Sequence, residues 1–231
     1  MADSLTAERA AAKPAAADMT LDELRLALAP ALADAAVFDG WGDAATQSAA
    51  QTLGVSPGVA RLAFPGGAMD RIAAWIARID ADMAAALPAE TIAALPIRER
   101  IRRLVEFRID AVRGQEEALR RALAIMAMPQ NAPTALRLGW SSADTMWRLA
   151  GDTATDYNHY TKRTILGGVY AATLAVLVDD TSAGKADTRA FLARRIDGIM
   201  RFEKAKARLL KPSDERFSVM RLLGRLRYPA R

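Results

Sequence analysis

Residues 136–180, LRLGWSSADTMWRLAGDTATDYNHYTKRTILGGVYAATLAVLVDD, decide the fold. They hold two of the four tryptophans, three of the four tyrosines and the only histidine. Around Ser142–Leu149, Trp140, Met146 and Trp147 sit among apolar residues at helical spacing. A polar corner follows, Gly151-Asp152-Thr153-Ala154-Thr155-Asp156. Ile165 to Val178 is then almost uninterruptedly apolar, yet several residues too short to span a bilayer. A helix apolar all round is buried in protein or closes on something greasy. The stretch predicts central helices of an all-α chain, enclosing either a filled core or a lipid site.

Composition agrees with a helical chain. Of 231 residues 52% are hydrophobic, which provides for a sizeable core in one large domain or a small and a larger one. Cysteine is absent, so disulfides and thiolate chemistry are excluded, and a single histidine removes most other metal-site designs. Residues 1–17 read as a disordered lead-in without a signal-peptide pattern, and the expected location is cytoplasmic. The net charge of +5 is unevenly placed. Residues 211–231 carry six cations against Asp214 and Glu215, a net +4, which points to a local electrostatic role.

Working outward, Thr20 with Glu23 three residues on predicts a capping box. Leu21, Leu24, Leu28 and Leu32 share a face of the helix that follows, with a kink expected at Pro30 and an end near Phe38–Trp41. Residues 43–63 read as helix, tight turn at Gly54 and a short helix opened by Ser56-Pro57, a helix-turn-helix that resembles the N-terminal module of TetR-type regulators. DNA docking is not expected of it: between Phe38 and Asp70 one cation, Arg61, faces Asp39, Asp43 and Asp70. Residues 69–87 form a helix burying Ile72, Trp75, Ile76 and Ile79; Pro88 and Pro96 bracket a short connection. Residues 97–113 turn Ile101, Leu104, Val105 and Ile109 inward and a solvated row of Arg98, Arg100, Arg102 and Arg103 outward. Another helix, 115–128, ends in methionines that serve as core filler or as a soft binding surface. Residues 186–210 form a last long helix with Leu192 and Ile196 inward. The segment after Pro212 sets Phe217, Met220, Leu223 and Leu226 on one stripe beside Arg221 and Arg225. That pattern fits a helix lying in a membrane interface, or one docked on its own domain or a partner.

Catalytic arrangements do not assemble from this sequence. Gly66-Gly67 and Gly167-Gly168 lack the flanking residues of a phosphate loop. Asp156 precedes His159 by three residues, but one such pair cannot build a helical di-iron site. His159, beside Tyr157 and Tyr160, reads as a surface or capping residue. The expectation is a non-enzyme with no metal and no cofactor.

The runs Trp147–Asp152, Thr155–Asn158, Tyr160–Arg163 and Leu166–Tyr170 carry a resemblance to the ubiquinone (coenzyme Q) biosynthesis accessory lipid-binding family with a TetR-like fold. A weaker likeness runs from about Leu24 to Arg201 and includes Ala122–Asn131. The resemblance implies an all-α homodimer with an N-terminal helix-turn-helix module (18–66), a helical lipid-binding bundle (67–210) and a basic amphipathic membrane-binding tail helix (211–231). It implies an isoprenoid, quinone or phospholipid as ligand, and a di-iron or other ubiquinone-pathway hydroxylase as the partner that does the oxidation. A partner-facing patch then maps to Met126, Met128, Pro129 and Asn131 with Tyr157, His159, Tyr160 and Arg163; the family carries tryptophan where this chain has His159. Without the presequence of the mitochondrial members, the chain reads as a bacterial relative, peripheral on the inner face of the cytoplasmic membrane. A pocket for the lipid is expected from Trp75, Leu104, Met126, Leu138, Met146, Trp147, Tyr170 and Leu174. Two other readings stay open: a TetR-type ligand-responsive transcriptional regulator, and a helical structural adaptor with a filled core.

Overall fold

The computed structural model describes residues 18–153 and 157–210, without the side chains of Tyr157 and of 200–210. The expected lead-in, half of the polar corner and the tail stripe with Phe217, Met220, Arg221, Leu223, Arg225 and Leu226 lie outside the described residues. Among these residues there are ten α-helices: α1 (Leu21–Asp39), α2 (Asp43–Leu53), α3 (Pro57–Ala63), α4 (Ala68–Ala86), α5 (Ala89–Ile92), α6 (Ile97–Ala111), α7 (Glu116–Met126), α8 (Ala132–Leu149), α9 (Tyr157–Leu177) and α10 (Ala186–Leu210). The chain divides into two compact units, one ending at Ala193 and one beginning at Arg194. The described part of the second is the C-terminal portion of α10.

The first unit begins as its sequence dictates. Thr20 Oγ1 accepts from Glu23 N at 3.3 Å while Thr20 N donates to Glu23 Oε2 at 2.8 Å, completing the capping box. Leu24, Leu28 and Leu32 are buried; Leu21 is exposed. Pro30 does not end α1, because it lies on the exposed side where water can take the carbonyl it leaves unpaired. Gly54 adopts φ 68° in the left-handed region, which closes α2 and permits the tight turn into α3. Ser56 caps α3 by accepting from Val59 N. Alanines at 29, 33, 36, 45, 49, 50, 60 and 63 are fully buried, so the three helices approach closely with little side chain between them.

Arg71 and Trp41 are among the side chains that fasten this module to the bundle. Arg71, buried on α4, donates from Nε to Thr46 Oγ1 at 2.6 Å, from Nη1 to Trp41 O at 3.1 Å and from Nη2 to Asp43. Trp41 packs on Trp75 with ring centroids 5.1 Å apart and donates its indole N–H to Ala118 O at 2.9 Å. At the other end, Asp180 closes the α9–α10 turn. Its carboxylate accepts from Ser182 N and Thr188 N, each at 2.8 Å, and from both hydroxyls. Among the described residues no helix is long and apolar enough to cross a membrane.

Candidate functional site

α4, α6, α7, α8 and α9 enclose a cavity of about 620 Å³. The apolar centre is therefore not a filled core. The volume lies in the range of small-molecule sites. α4 contributes Ile72, Trp75, Ile76 and Ile79; α7 contributes Leu119, Leu123 and Met126. α8 and α9 contribute both small residues, Ala135, Gly139, Gly167, Gly168 and Ala171, and large ones, Leu138, Trp140, Tyr170 and Leu174.

Of the eight residues expected to form a pocket, Trp75, Met126, Leu138, Tyr170 and Leu174 line the cavity. The other three are placed elsewhere. Leu104 and Met146 are fully buried but off its wall. Trp147 turns to the corner, donating its indole N–H to Lys162 O at 3.0 Å beneath the Lys162 ammonium.

One polar group on the wall escaped the sequence reading. Arg108 is 1% exposed and carries its charge into the bundle. It pairs with Asp80 and donates from Nη2 to Ser142 Oγ at 3.2 Å, while Ser142 Oγ donates to Asp80 Oδ2 at 3.1 Å. The Tyr170 ring centroid lies 4.8 Å from its guanidinium carbon, a cation–π contact. Its Nε–H has no acceptor among the described residues. Burial pushes the Asp80 carboxyl above its ordinary range, by more than Arg108 and Ser142 lower it. The signal was legible in the stripe: Arg108 continues Ile101, Leu104 and Val105 toward Val112, at spacing that can only point inward.

Arg163 requires a correction. Expected on a partner-facing patch, it is buried, donating to Asp144 at 2.6 Å, to Asp152 at 3.0 Å and to His159 O at 3.1 Å. Lys162 also bonds Asp152 at 2.6 Å. Burial opposes the Asp144 charge, yet Arg163 and Arg148 hold that carboxyl below its ordinary value. Arg100 likewise leaves the expected solvated row: it bonds Ala93 O, Leu95 O and Ala150 O, and so ties the α5–α6 connection to the end of α8.

What does reach the surface is an aromatic cluster. Trp140, itself on the cavity wall, packs against Tyr160 at 5.9 Å and His159 at 6.2 Å, and Tyr160 is 60% exposed. Met128 and Pro129 are exposed on the turn before α8, where Asn131 instead donates its amide to Ile125 O. Of Tyr157 only the backbone, at the start of α9, is described.

With this geometry in view, residues 132–203 match the COQ9 family model. The match begins at the first residue of α8 and takes in α9 and most of α10. "Ubiquinone biosynthesis protein COQ9, mitochondrial" of Rattus norvegicus is 34% identical over 168 residues, covering 70% of this chain and 54% of that protein. The Homo sapiens protein of the same name is 32% identical over 70% of this chain and 52% of its own length. The chain thus spans about half the length of the curated relatives it matches. Among solved structures, a TetR transcriptional regulator from Nitrosomonas europaea ATCC 19718 superposes with a TM-score of 0.61 at 22% identity, over 76% of this chain and 97% of that one. The described part of the chain thus has a TetR-like, all-α fold.

Proposed function

We propose that this chain is a non-catalytic accessory protein of ubiquinone biosynthesis that binds a polyprenyl quinone intermediate and presents it to a membrane-associated hydroxylase. One observation carries the reading: a mostly apolar cavity of about 620 Å³ walled on two sides by the COQ9-matching helices. The relatives' names supply the pathway. A prenyl chain leaving the bilayer exposes apolar surface at roughly 25 cal/mol per Å², and this lining replaces the lost lipid contacts.

The surface beside the cavity supports the second half of the reading. His159 and Tyr160 stack around a wall tryptophan, so a hydroxylase docking there would lie next to the bound lipid. Tyr and Trp clusters of this kind anchor interfaces. The basic tail, through Phe217, Met220, Leu223 and Leu226 with Arg221 and Arg225, supplies attraction to the anionic inner face of a cytoplasmic membrane, and the working unit is a homodimer.

The test is mass spectrometry of an organic extract from the purified protein, with co-sedimentation on anionic vesicles. A stoichiometric prenylated quinone and vesicle binding that weakens with salt are expected. A lipid-free extract with no uptake of added quinone would overturn the reading. Duplex-DNA binding with a steep salt slope would favour a TetR-type regulator instead.

A further inference from the structure

The cavity has a buried apolar side and an open side. Ile72, Val112, Leu119 and Ala122 line it and are buried. Ala127, Leu136, Thr164 and Ala171 line it and are exposed. Its polar side chains decide what the interior can recognise, and the buried ones are already spent. Arg108 pairs with Asp80 and bonds Ser142, and its remaining Nε–H is enclosed. The Ser142 hydroxyl accepts from Arg108 and donates to Asp80. Tyr170 meets the same guanidinium with its ring. Arg163 is held by Asp144, Asp152 and His159 O. The other two polar groups of the lining, the Thr164 hydroxyl and the Trp140 indole N–H, belong to an exposed and a half-buried residue.

An oxygen carried into such an interior leaves its water partners and finds no free one in return, which is unfavourable. A hydrocarbon chain loses nothing there and gains by leaving water. Capacity adds a limit. At about 30 Å³ per water-sized group, the cavity of about 620 Å³ holds about twenty non-hydrogen atoms, or about four isoprene units.

We infer that the cavity selects hydrocarbon and not a head group: it encloses a prenyl chain to the extent of about four isoprene units and does not read the ring oxygens. The inference rests on the lipid-binding reading above and narrows it. Binding strength is then set by how much chain is enclosed. Discrimination between one quinone intermediate and the next falls outside the cavity, to whatever protein the ring is presented to.

Titrations of the full chain read by tryptophan fluorescence test this, since Trp75 and Trp140 line the cavity. Ubiquinones of one, two, four and eight isoprene units form the first series. Affinity is expected to rise at least tenfold from one unit to four and then to stay within about threefold. At four units, the quinone, the prenyl alcohol and the prenyl hydrocarbon should bind within about threefold of one another. The ring alone, 2,3-dimethoxy-5-methyl-1,4-benzoquinone, should not displace them at about hundredfold excess. Gly139→Leu adds side-chain volume on the wall, where a Cβ meets no described atom within 4 Å, and should move the plateau to a shorter chain. A quinone that binds tenfold or more tighter than the matched hydrocarbon, or a chain-free ring that displaces it, overturns the inference. So does affinity that still climbs tenfold between four and eight units, or a folded Gly139→Leu protein whose plateau stays at four. Failure of wild type to bind any of these ligands sinks the lipid reading itself, a separate outcome.

Discussion

The N-terminal three helices and the bundle around the cavity both turn apolar faces inward, but they pack them differently. In the first, Leu24, Leu28 and Leu32 are buried beside fully buried alanines, and helices that meet through methyl groups approach closely. In the second, tryptophan, isoleucine and leucine on α4 and α7 meet a mixed wall on α8 and α9, where glycines and alanines stand among Leu138, Trp140, Tyr170 and Leu174. Apolar pattern decides which face turns inward. Side-chain volume across the interface decides whether the inside is solid.

The largest effect is expected where the cavity wall carries charge. Arg108→Met leaves Asp80 buried without its cation and should cost about 3–5 kcal/mol, read as a lower midpoint in urea. Adding Asp80→Leu should recover most of that loss. If the double variant is no more stable than the single, the pair is not the reason Arg108 is tolerated there.

The filled region and the cavity should then respond differently to the same change. Leu28→Ala in the three-helix module should cost about 2–5 kcal/mol, since that side chain is fully enclosed. Leu138→Ala, on the cavity wall and half-buried, should cost less than about 1.5 kcal/mol, because part of its surface already lacks protein partners. Equal losses in denaturant titrations would mean that the cavity closes in solution.

How much of this was legible in the sequence depends on which question is asked. Helix positions were: the Thr20–Glu23 box, Gly54 and Ser56-Pro57 mark their elements through local chemistry that acts within four residues. The cavity was half legible. Trp75, Met126, Leu138, Tyr170 and Leu174 stand on its wall, but Leu104 and Met146 satisfy the same apolar rule while packing elsewhere. Periodicity gives a face, not which neighbour the face meets. Arg163 was misplaced for the same reason: an arginine in a polar run reads as exposed until Asp144 and Asp152, from other positions around the corner, arrive to bury its charge.

The α9–α10 turn offers a pH-dependent contrast with the Arg108 wall. Burial opposes ionisation of Asp180, but hydrogen bonds from Ser182 and Thr188 outweigh it and hold the carboxyl well below its ordinary value of 3.8. A depressed carboxyl contributes stability that is present above the unfolded value and lost as pH falls through the folded one. Asp80, with its raised carboxyl, has the opposite sign, favouring the folded state less as pH climbs past its ordinary value. Asp180→Asn keeps the shape, removes the charge and should cost about 1–3 kcal/mol at neutral pH. Its loss relative to wild type should shrink below pH 3.8, measured by thermal melts across a pH series. A pH-independent difference would show that the hydrogen bonds hold the turn without the charge.

The smallest effect has the opposite direction. Gly167→Ala and Gly168→Ala place a methyl group where no described atom lies within 4 Å, on helical backbone that does not need glycine. Each should therefore stabilise the protein, by about 0.5–1 kcal/mol, through helix propensity alone. The same exchange at Gly54 should destabilise, since its left-handed φ of 68° strains any side chain. If the α9 alanines instead lower the melting midpoint, protein atoms occupy that space in solution, and the contrast between a solid module and a cavity-bearing bundle is wrong. If they raise it while weakening binding of long-chain quinone, the glycines hold the space open for an occupant at a standing cost in stability.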